Sequence, residues 1–232
     1  MRVVAILQAR MGSTRLPGKV MMPLAGKPML QNIVARVERA QTIDAVVLAP
    51  PSHEYQYFTA NLTCAVAYAE ADENDLVGRY VRTALAHDAD IIVRIPCDNP
   101  CIDPEYIDQA VEQYIRVPSV FYTNTTAACE GELLDGIGCE VFSMSRLLWL
   151  ADRTRGHADY REHPHLFFYH AFQLPAYEAA LRLDVNTEED YRFVARIYDH
   201  FGHNRFTTSQ LVGYLRSQGG YHAVRDRAKV EA

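Results

Sequence analysis

Three basic side chains lie close together near the start of the chain, in a segment that contains no acidic residue. Arg10, Arg15 and Lys19 occur within QARMGSTRLPGK at positions 8–19, directly after the apolar run VVAIL. Fixed cations and the backbone N–H groups of a glycine-containing turn are the groups with which proteins bind phosphate. These residues therefore predict an anion-binding loop at the end of a buried strand.

The spacing of the glycines leaves the kind of phosphate site open. The segment matches neither the G-x-x-x-x-G-K-[ST] loop nor G-x-G-x-x-G, and an ordinary basic surface loop is the alternative interpretation. Two observations favour a site. Gly12 and Gly18 relax the backbone where the cations lie, and the cations stand out against a formal net charge of −6 for the whole chain. We therefore expect a polyanionic ligand.

Carboxylates elsewhere in the chain are candidates for holding a divalent cation. Asp98 follows the apolar run IIVRI, and Asp184 and Asn186 lie two positions apart, so that both would point to one face of a strand. Magnesium prefers one or two carboxylates together with phosphate oxygens. The alternative for Asp98 is an Asx-turn, since Asp-Asn-Pro is typical turn chemistry. Asp190 is predicted to cap a helix or to bond to the backbone.

The elements that must position these groups alternate over the first half of the chain. Strands are predicted at 2–8, 45–49, 65–68 and 91–95, and helices at 28–40, 52–61, 74–87 and 104–115. Continuous apolar strands between amphipathic helices are typical of an α/β fold with a mostly parallel sheet and helices on both faces. Ligands bind beyond the carboxyl ends of such strands, which places the loops 9–19, 69–75 and 96–103 side by side.

The pattern changes after residue 117. Strands at 120–123 and 140–142 are predicted on either side of a polar, glycine-containing loop, followed by helices at 143–152 and 157–170. These helices are rich in aromatic residues, which pack in cores and also favour dimer interfaces. The aromatic content therefore leaves both a core role and a dimer surface open, and we expect a homodimer.

The last third of the chain is predicted to return to the sheet and then to fray. A strand at 181–185 is followed by a helix at 187–201 with three acidic residues in its first turn, a typical helix start. We expect one domain over residues 1–232. Within it, 118–175 would serve ligand binding or dimerisation, and 219–232 would form a polar tail.

Composition excludes several classes of protein. The 232 residues are 49% hydrophobic and 22% charged, as is ordinary for a soluble globular protein, and no stretch reaches the ~20 apolar residues that span a membrane. The acidic balance argues against a nucleic-acid polymer as partner. The five scattered cysteines predict reduced thiols rather than a disulfide framework or a zinc site. The first residues lack the character of a signal peptide, so a cytoplasmic protein is expected.

Several segments together resemble one protein family. The segment 8–19, followed by PLAGKPML at 23–30, is similar to the signature of the cytidylyltransferase superfamily, in particular the branch named for spore-coat polysaccharide biosynthesis protein F. Supporting segments recur in the same order: RIPCDNP at 94–100, IDP at 102–104, EVFS at 140–143, REH at 161–163 and LDVNTEEDY at 183–191. The similarity spans about residues 2–200.

The resemblance implies a nucleotide-diphosphosugar transferase fold, which is Rossmann-like, and a magnesium-dependent transfer of CMP from CTP to an acceptor with release of pyrophosphate. The catalytic residues it implies are Arg10, Lys19 and Asp98. The nucleotide-binding residues it implies are Gln8, Ala9, Arg10, Gly12, Ser13, Arg15, Lys19, Asp72, Arg79 and Asp98. We expect acceptor contacts from Asn124, Glu140, Arg161 and His163, and Mg²⁺ ligands from Asp98, Asp184 and Asn186.

One position departs from the pattern of the sugar-acid relatives. Their late metal-binding aspartate lies in a Val-Asp-Thr-Pro-Glu-Asp motif, and this chain has Asn186 there. An amide oxygen ligates Mg²⁺ without bringing charge, so Asp184 is the candidate for the missing carboxylate. Three alternatives stay open: a nucleotide-binding homologue without activity, a nucleotidyltransferase that uses another nucleotide, and a glycosyltransferase of related fold. The acceptor is equally open among sugar acids, amino sugars, phosphonates and polyol phosphates.

Overall fold

Strands and helices alternate from the first residues of the computed structural model, which describes residues 1–68, 73–117, 119, 121–173, 179 and 181–230. The strands are Val3–Gln8 (β1), Pro23–Leu24 (β2), Lys27–Pro28 (β3), Ala45–Leu48 (β4), Ala65–Val66 (β5), Ile91–Pro96 (β6), Tyr122–Thr123 (β7), Thr126–Cys129 (β8), Glu132–Asp135 (β9), Glu140–Ser143 (β10) and Leu181–Arg182 (β11). The α-helices are Met29–Val37 (α1), Tyr55–Asn61 (α2), Leu76–Ala86 (α3), Pro104–Arg116 (α4), Met144–Arg153 (α5), Ala158–Glu162 (α6), Pro164–Phe172 (α7), Glu188–Phe201 (α8), Thr208–Ser217 (α9) and Tyr221–Val230 (α10). Short 3₁₀ helices cover Lys19–Met21 and Ser52–Glu54.

The main sheet confirms the predicted α/β fold. Among the described residues its strand order is β5-β4-β1-β6-β10-β7. The strands β5, β4, β1 and β6 run parallel, and β10 is antiparallel to both of its neighbours. The parallel strands are the apolar runs of the sequence, which suit a sheet that is buried on both faces.

Two apolar cores cover the two faces of this sheet. Ala5 and Leu7 of β1 belong to the core that includes α1, α4 and α8, whereas Val4 and Ile6 belong to the core that includes α3, α5 and Phe168 of α7. Successive side chains of a strand point to opposite faces, so β1 contributes to both cores. Helices therefore pack on both faces of the sheet, as predicted.

The order of the strands brings the loops of interest to one edge. The neighbours β1 and β6 are paired up to Gln8 and Pro96, so the loops that follow them leave the sheet side by side. The backbone N–H of Val185 donates to the Asp98 carbonyl at 2.7 Å. This bond attaches the segment after β11 to the loop after β6.

A buried arginine fastens that loop to the helices behind it. Arg36 of α1 is 0% exposed, and its guanidinium donates to the main-chain oxygens of Cys101, Ile102, Asn204 and Phe206. The guanidinium carbon also lies 4.5 Å from the centre of the Phe206 ring, within the range of a cation–π contact. One side chain thus joins α1, the loop after β6 and the segment before α9.

The predicted loop between 123 and 140 is wrong, because it contains a hairpin. Strands β8 and β9 pair antiparallel across Glu130 and Gly131, whose φ angles are +49° and +84°. Two positive φ angles in a two-residue connection fit the twist of a tight hairpin. The small residues of β8 carry little strand propensity, and β9 is paired on its other side with β11. The strand predicted at 181–185 is accordingly short and lies in this separate sheet.

Two predicted boundaries also differ from the structure. The helix predicted at 157–170 is broken at His163, because Pro164 disfavours helical backbone at the residue before it. The predicted polar tail is instead the helix α10, which packs on α8 through buried Tyr221 and Val224. Arg225 of α10 lies 3.0 Å from Glu189 and 2.6 Å from Asp190.

The sequence predicts neither disulfide bonds nor a membrane-spanning segment. The cysteines are all free thiols, and four of the five are buried. No helix in the part of the chain that the structure describes is long and apolar enough to cross a bilayer.

Candidate active site

A cavity of about 780 Å³ opens where the loops after β1 and β6 leave the sheet. The segment after β11 and one side of α7 complete its walls. Most of the predicted site residues line it: Gln8, Ala9, Arg10, Ser13, Arg15, Lys19, Asp98, Glu140, His163, Asp184 and Asn186. Residues from five separated stretches of sequence therefore meet in one place.

Oxygen atoms converge on the ammonium group of Lys19, whose side chain is nearly buried. Its Nζ donates to the Val185 carbonyl at 2.6 Å, to Asn186 Oδ1 at 3.2 Å and to Asp98 Oδ2 at 3.3 Å. Carboxylate, amide and carbonyl oxygens are also the ligands that Mg²⁺ takes. The residues present therefore fit a hard divalent cation, although none of the described His, Cys, Asp and Glu side chains form a cluster of three that could hold one.

Asn186 connects the basic loop to the segment after β11. Its Oδ1 accepts a second bond, at 2.8 Å, from Arg15 Nη2, and its Nδ2 donates to Asp184 Oδ2. Asp184 is in turn paired with Arg182 at 2.8 Å. The neutral amide of Asn186 thus links Arg15 and Lys19 to the carboxylate of Asp184.

Arg10 lies between two acidic side chains at the rim of the cavity. Its Nη1 is 3.5 Å from Glu73 Oε1, and its Nη2 is 3.5 Å from Glu162 Oε1. The Arg10 side chain is 37% exposed, so both ion pairs are screened by solvent and weak. A more highly charged anion can therefore displace these partners at little cost.

A carboxylate that is 12% exposed orders the basic loop. The backbone N–H of Met11 donates to both oxygens of Glu54, at 3.1 and 3.0 Å, and the Met11 carbonyl accepts from the N–H groups of Ser13 and Gly18. A Cβ added at Gly12 would come within 3.2 Å of Glu73 Oε1, closer than most real contacts of this kind. Gly12 does not line the cavity, so its place in the loop is explained by this close approach.

A smaller cavity of about 100 Å³ adjoins the first one at Gln8, Ala9 and Arg10. Arg79 of α3 lies at its wall with a nearly buried side chain. Its Nε and Nη1 have no hydrogen-bond partner among the described residues. Burial lowers the pKa of Arg79, but a guanidinium stays charged at neutral pH. The predicted ligand Asp72 lies outside the described residues.

A buried ion pair forms the floor of the cavity. Arg94 Nη1 of β6 lies 2.7 Å from Glu140 Oε2 of β10, and both side chains are almost inaccessible. The two residues are register partners in the sheet, and Arg94 Nε also donates to Gln8 Oε1 at 2.9 Å. Burial would lower the pKa of Arg94, but the charge of Glu140 raises it above its usual value. Arg94 therefore stays charged, and its Nε holds the side chain of Gln8 in place.

Two predicted acceptor ligands do not reach the cavity. Asn124 is buried, with Nδ2 donating to the Tyr106 carbonyl at 2.7 Å and Oδ1 accepting from the Cys139 N–H at 2.9 Å. Arg161 turns away to form two bonds with Asp75, at 2.8 and 2.9 Å, which hold the start of α3. The side chains of both residues therefore stabilise the fold and do not face the cavity.

Several residues that line the cavity were not predicted from the sequence. They come from the β8–β9 hairpin and from α7: Thr125, Asp135, His165, Tyr169 and His170. Burial lowers the pKa of the His165 imidazole, which keeps the ring neutral at pH 7. Burial and the nearby charge of Asp184 raise the pKa of Asp135. In the sequence, the charge of Arg94 within the apolar run IIVRI could have indicated a functional position. The residues of the β8–β9 hairpin show no comparable pattern.

Comparison with models of known protein families identifies the family of this chain. A family model described as cytidylyltransferase matches residues 4–206, which is most of the chain and includes every loop that lines the cavity. The chain belongs to the cytidylyltransferase family. The family resemblance inferred from the sequence motifs is thereby confirmed.

Relatives of this chain include proteins of similar length. It is 29% identical to spore coat polysaccharide biosynthesis protein SpsF of Bacillus subtilis, over 92% of this chain and 93% of that one. The structure of a cytidylyltransferase from Leptospira borgpetersenii serovar Hardjo-bovis superimposes with a TM-score of 0.82 at 25% identity, covering 97% and 98% of the two chains. CMP:2-keto-3-deoxy-manno-octonic acid synthetase, solved with CTP, shares the fold at a TM-score of 0.62 and 15% identity, covering 87% of this chain and all of that one (100%).

The loop that carries Asn186 is held by a helix cap. Asp190 Oδ2 accepts from the backbone N–H groups of Asn186 and Thr187, at 3.1 and 2.9 Å, and Thr187 completes a capping box. Burial alone would raise the pKa of Asp190, but hydrogen bonds from Thr187, from these N–H groups and from Arg225 lower it below the ordinary value of 3.8. The sequence-based prediction that Asp190 acts as a cap is confirmed.

We expect the Asp190→Asn variant to lose about 1 kcal/mol of unfolding free energy at pH 7. Because the pKa of Asp190 is lower in the folded than in the unfolded protein, the contribution of its charge is present above about pH 4 and is lost as the pH falls through the folded-state pKa. Urea unfolding of both proteins at pH 7 and pH 3 measures the difference. An equal difference at both pH values would contradict this assignment.

Proposed function

We propose that this protein transfers a CMP group from CTP to an oxygen nucleophile of a small acceptor and releases pyrophosphate. The observation that carries the proposal is the meeting of Arg15, Lys19 and Asp98 in one cavity at the carboxyl edge of the sheet. Ligands of α/β folds bind at this edge. The CTP bound by the structurally similar synthetase supports the choice of nucleotide.

The basic loop would hold the triphosphate and stabilise the leaving group. The acceptor oxygen attacks the α-phosphorus in line, the bond from that phosphorus to the bridging oxygen of the β-phosphate breaks, and pyrophosphate leaves with the bond electrons. Such transfers depend on positioning and on charge stabilisation rather than on covalent help from the protein. Arg10, Arg15 and Lys19 would supply that charge, since each lines the cavity.

The smaller cavity would take the cytosine base. Cytosine presents acceptors at O2 and N3, and Arg79 presents buried donors that lack a partner among the described residues. Ala9 lines the same cavity, and its backbone N–H and C=O groups are further candidates for hydrogen bonds to the base. A base seated here leaves its phosphates on the side of Arg10, which lines both cavities.

Asp98 would hold Mg²⁺, with Asp184 and Asn186 as further oxygen ligands beside it. When bound, this cation would neutralise charge on the phosphate groups. Asp98 Oδ2 and Asn186 Oδ1 lie at similar distances from Lys19 Nζ, at 3.3 and 3.2 Å, so the chain brings these two oxygen ligands together. Oxygen ligands of this kind suit magnesium better than softer metals.

The acceptor would occupy the part of the cavity that lies beside α7 and the β8–β9 hairpin. Glu140 and His163 are the predicted acceptor ligands that line it, together with His165 and Tyr169. These groups offer hydrogen bonds to a polyhydroxylated compound, and the neutral ring of His165 can accept one. By analogy with the relatives, we propose a sugar acid, a phosphonate or a phosphate compound, used in surface polysaccharide biosynthesis.

We also propose that residues 118–175 serve both acceptor binding and dimerisation. Leu148 and Phe172 are 46% and 40% exposed, and Trp149 lies next to Phe172 with ring centres 5.9 Å apart. Exposed aromatic and aliphatic side chains of this kind are enriched at interfaces. A homodimer would cover them.

A pyrophosphate-release assay with Mg²⁺ tests the proposal directly. CTP, UTP, ATP and GTP are each offered with a panel of sugar acids, amino sugars, phosphonates and polyol phosphates. We expect release with CTP and one class of acceptor. Release with a different nucleotide would overturn the choice of CTP, and binding of CTP without release for any acceptor would identify a nucleotide-binding homologue without activity.

A further inference from the structure

We propose that Asn186 is a positioning residue that holds Arg15 and Lys19 ready for a triphosphate when no divalent cation is bound. On this view the nucleotide binds first and does not depend on the metal. The inference rests on the proposed function in one respect only, namely that the ligand of the basic loop is a triphosphate. It concerns the order of binding, which the proposed function leaves open.

The contacts of the Asn186 side chain carry the inference. Its Oδ1 accepts from Arg15 Nη2 at 2.8 Å and from Lys19 Nζ at 3.2 Å, so both lone pairs of the oxygen are used by cations of the basic loop. Its Nδ2 donates to Asp184 Oδ2. The amide thus fits between two positive groups and one negative group, with a donor and an acceptor in the required places.

The position of the amide is itself fixed from both sides. The backbone N–H of Asn186 donates to Asp190 Oδ2 at 3.1 Å, and Asp184 is held by Arg182 through two bonds at 3.1 and 2.8 Å. Asn186 is therefore fixed by contacts outside the basic loop, and it in turn accepts from the long side chains of Arg15 and Lys19. Both side chains line the cavity.

A carboxylate could not serve in the same way. An aspartate at position 186 would put its charge in direct contact with Asp184, and a bound cation would be needed to relieve the repulsion. It would also bind Arg15 and Lys19 as full ion pairs, adding the attraction of opposite charges to the bonds that the cations now make to a neutral oxygen. The neutral amide orders the two cations but releases them to phosphate oxygens at small cost.

The experiment measures binding and needs no turnover. Calorimetric titrations of CTP and of inorganic tripolyphosphate are run in EDTA and in Mg²⁺, with the wild type, Asn186→Asp, Asn186→Ala and the matched surface control Asn61→Asp. Asn61 is exposed, and its Nδ2 donates to the Tyr57 carbonyl within α2. We expect wild type and control to bind both ligands in EDTA, with Kd within about fivefold of the Mg²⁺ value.

The two site variants are expected to differ from each other. Asn186→Asp should lose about tenfold or more in affinity in EDTA and regain it in Mg²⁺. Asn186→Ala should lose affinity in both buffers, because the shared acceptor of the cations is gone; if Asn186 served only as a metal ligand, this variant would lose affinity in Mg²⁺ alone. Thermal melts identify a variant that fails to fold, and in that case the other variant decides.

Two results would overturn the inference. One is a wild type that binds tripolyphosphate only when Mg²⁺ is present, and the other is an Asn186→Ala variant that keeps wild-type affinity in EDTA. Neither result bears on whether CTP is turned over. Conversely, metal-free binding of tripolyphosphate without pyrophosphate release from any nucleotide would uphold the role of Asn186 and reject the proposed function.

Discussion

The Asp98→Ala variant is expected to release pyrophosphate from CTP at least about 100-fold more slowly than the wild type, with its fold intact. Among the described residues Asp98 is the one carboxylate in direct contact with Lys19, and its side chain lines the cavity where the loops after β1 and β6 meet. Its removal takes away the proposed metal ligand and leaves the Lys19 ammonium with the weaker dipoles of Val185 and Asn186. Both changes reduce the control of charge at the reacting phosphate.

Steady-state pyrophosphate release under saturating CTP, Mg²⁺ and the acceptor that the wild type uses measures this effect. Asp199→Ala, on the exposed side of α8, is the matched control and should keep wild-type activity. The substitution removes only the side chain of Asp98, and its backbone carbonyl keeps the bond from the Val185 N–H. The thermal midpoint of the variant should therefore stay close to that of the wild type. A variant with a tenth or more of the wild-type rate would rule out the proposed role of Asp98.

The Arg36→Met variant should lose about 3 kcal/mol or more of unfolding free energy. Methionine fills a similar volume but donates no hydrogen bonds, so the carbonyls of Cys101, Ile102, Asn204 and Phe206 lose a buried donor together. Each buried acceptor left without a partner costs about 1–3 kcal/mol. Few exposed side chains in this chain approach such an effect, because their ion pairs are screened.

Equilibrium unfolding in urea gives this value, and Arg192→Met provides the comparison. Arg192 is 37% exposed and pairs with Glu188 one turn away at 3.2 Å, so its loss should cost about 0.5 kcal/mol or less. If the two variants were equally stable, the buried hydrogen bonds of Arg36 would not be a main support of the fold. We also expect Arg36→Met to weaken CTP binding, since Cys101 and Ile102 lie in the loop that carries Asp98.

The main sheet could be predicted because its strands are continuous apolar runs. A strand such as IIVRI has few alternatives to a buried position between helices, and once the strands are parallel, their carboxyl ends fix where Arg15, Lys19 and Asp98 meet. Local patterns were enough for this part of the fold. The capping box at Thr187 and Asp190 was predictable for the same reason, because both of its bonds lie within four residues.

The acceptor side could not be predicted, because it depends on contacts that are distant in sequence. Strand β8 has small residues and is stabilised by pairing with β9, which itself depends on β11 about 50 positions later. Arg161 has the chemistry of an anion ligand, and only the position of Asp75 in space decides that it serves α3. The two bonds that Asn186 accepts likewise follow from the approach of two loops.

The attachment of α10 to the Asn186 loop has a consequence for how the protein is made. Arg15 and Asn186 are separated by 171 positions, so at a synthesis rate of about 5–20 residues per second the basic loop waits roughly 9–34 s for its partner. Arg225, which braces Asp190, emerges later still. A nascent chain shorter than this lacks the contacts between the basic loop, Asn186 and Arg225, so the proposed nucleotide site is complete only after all of them have been synthesised.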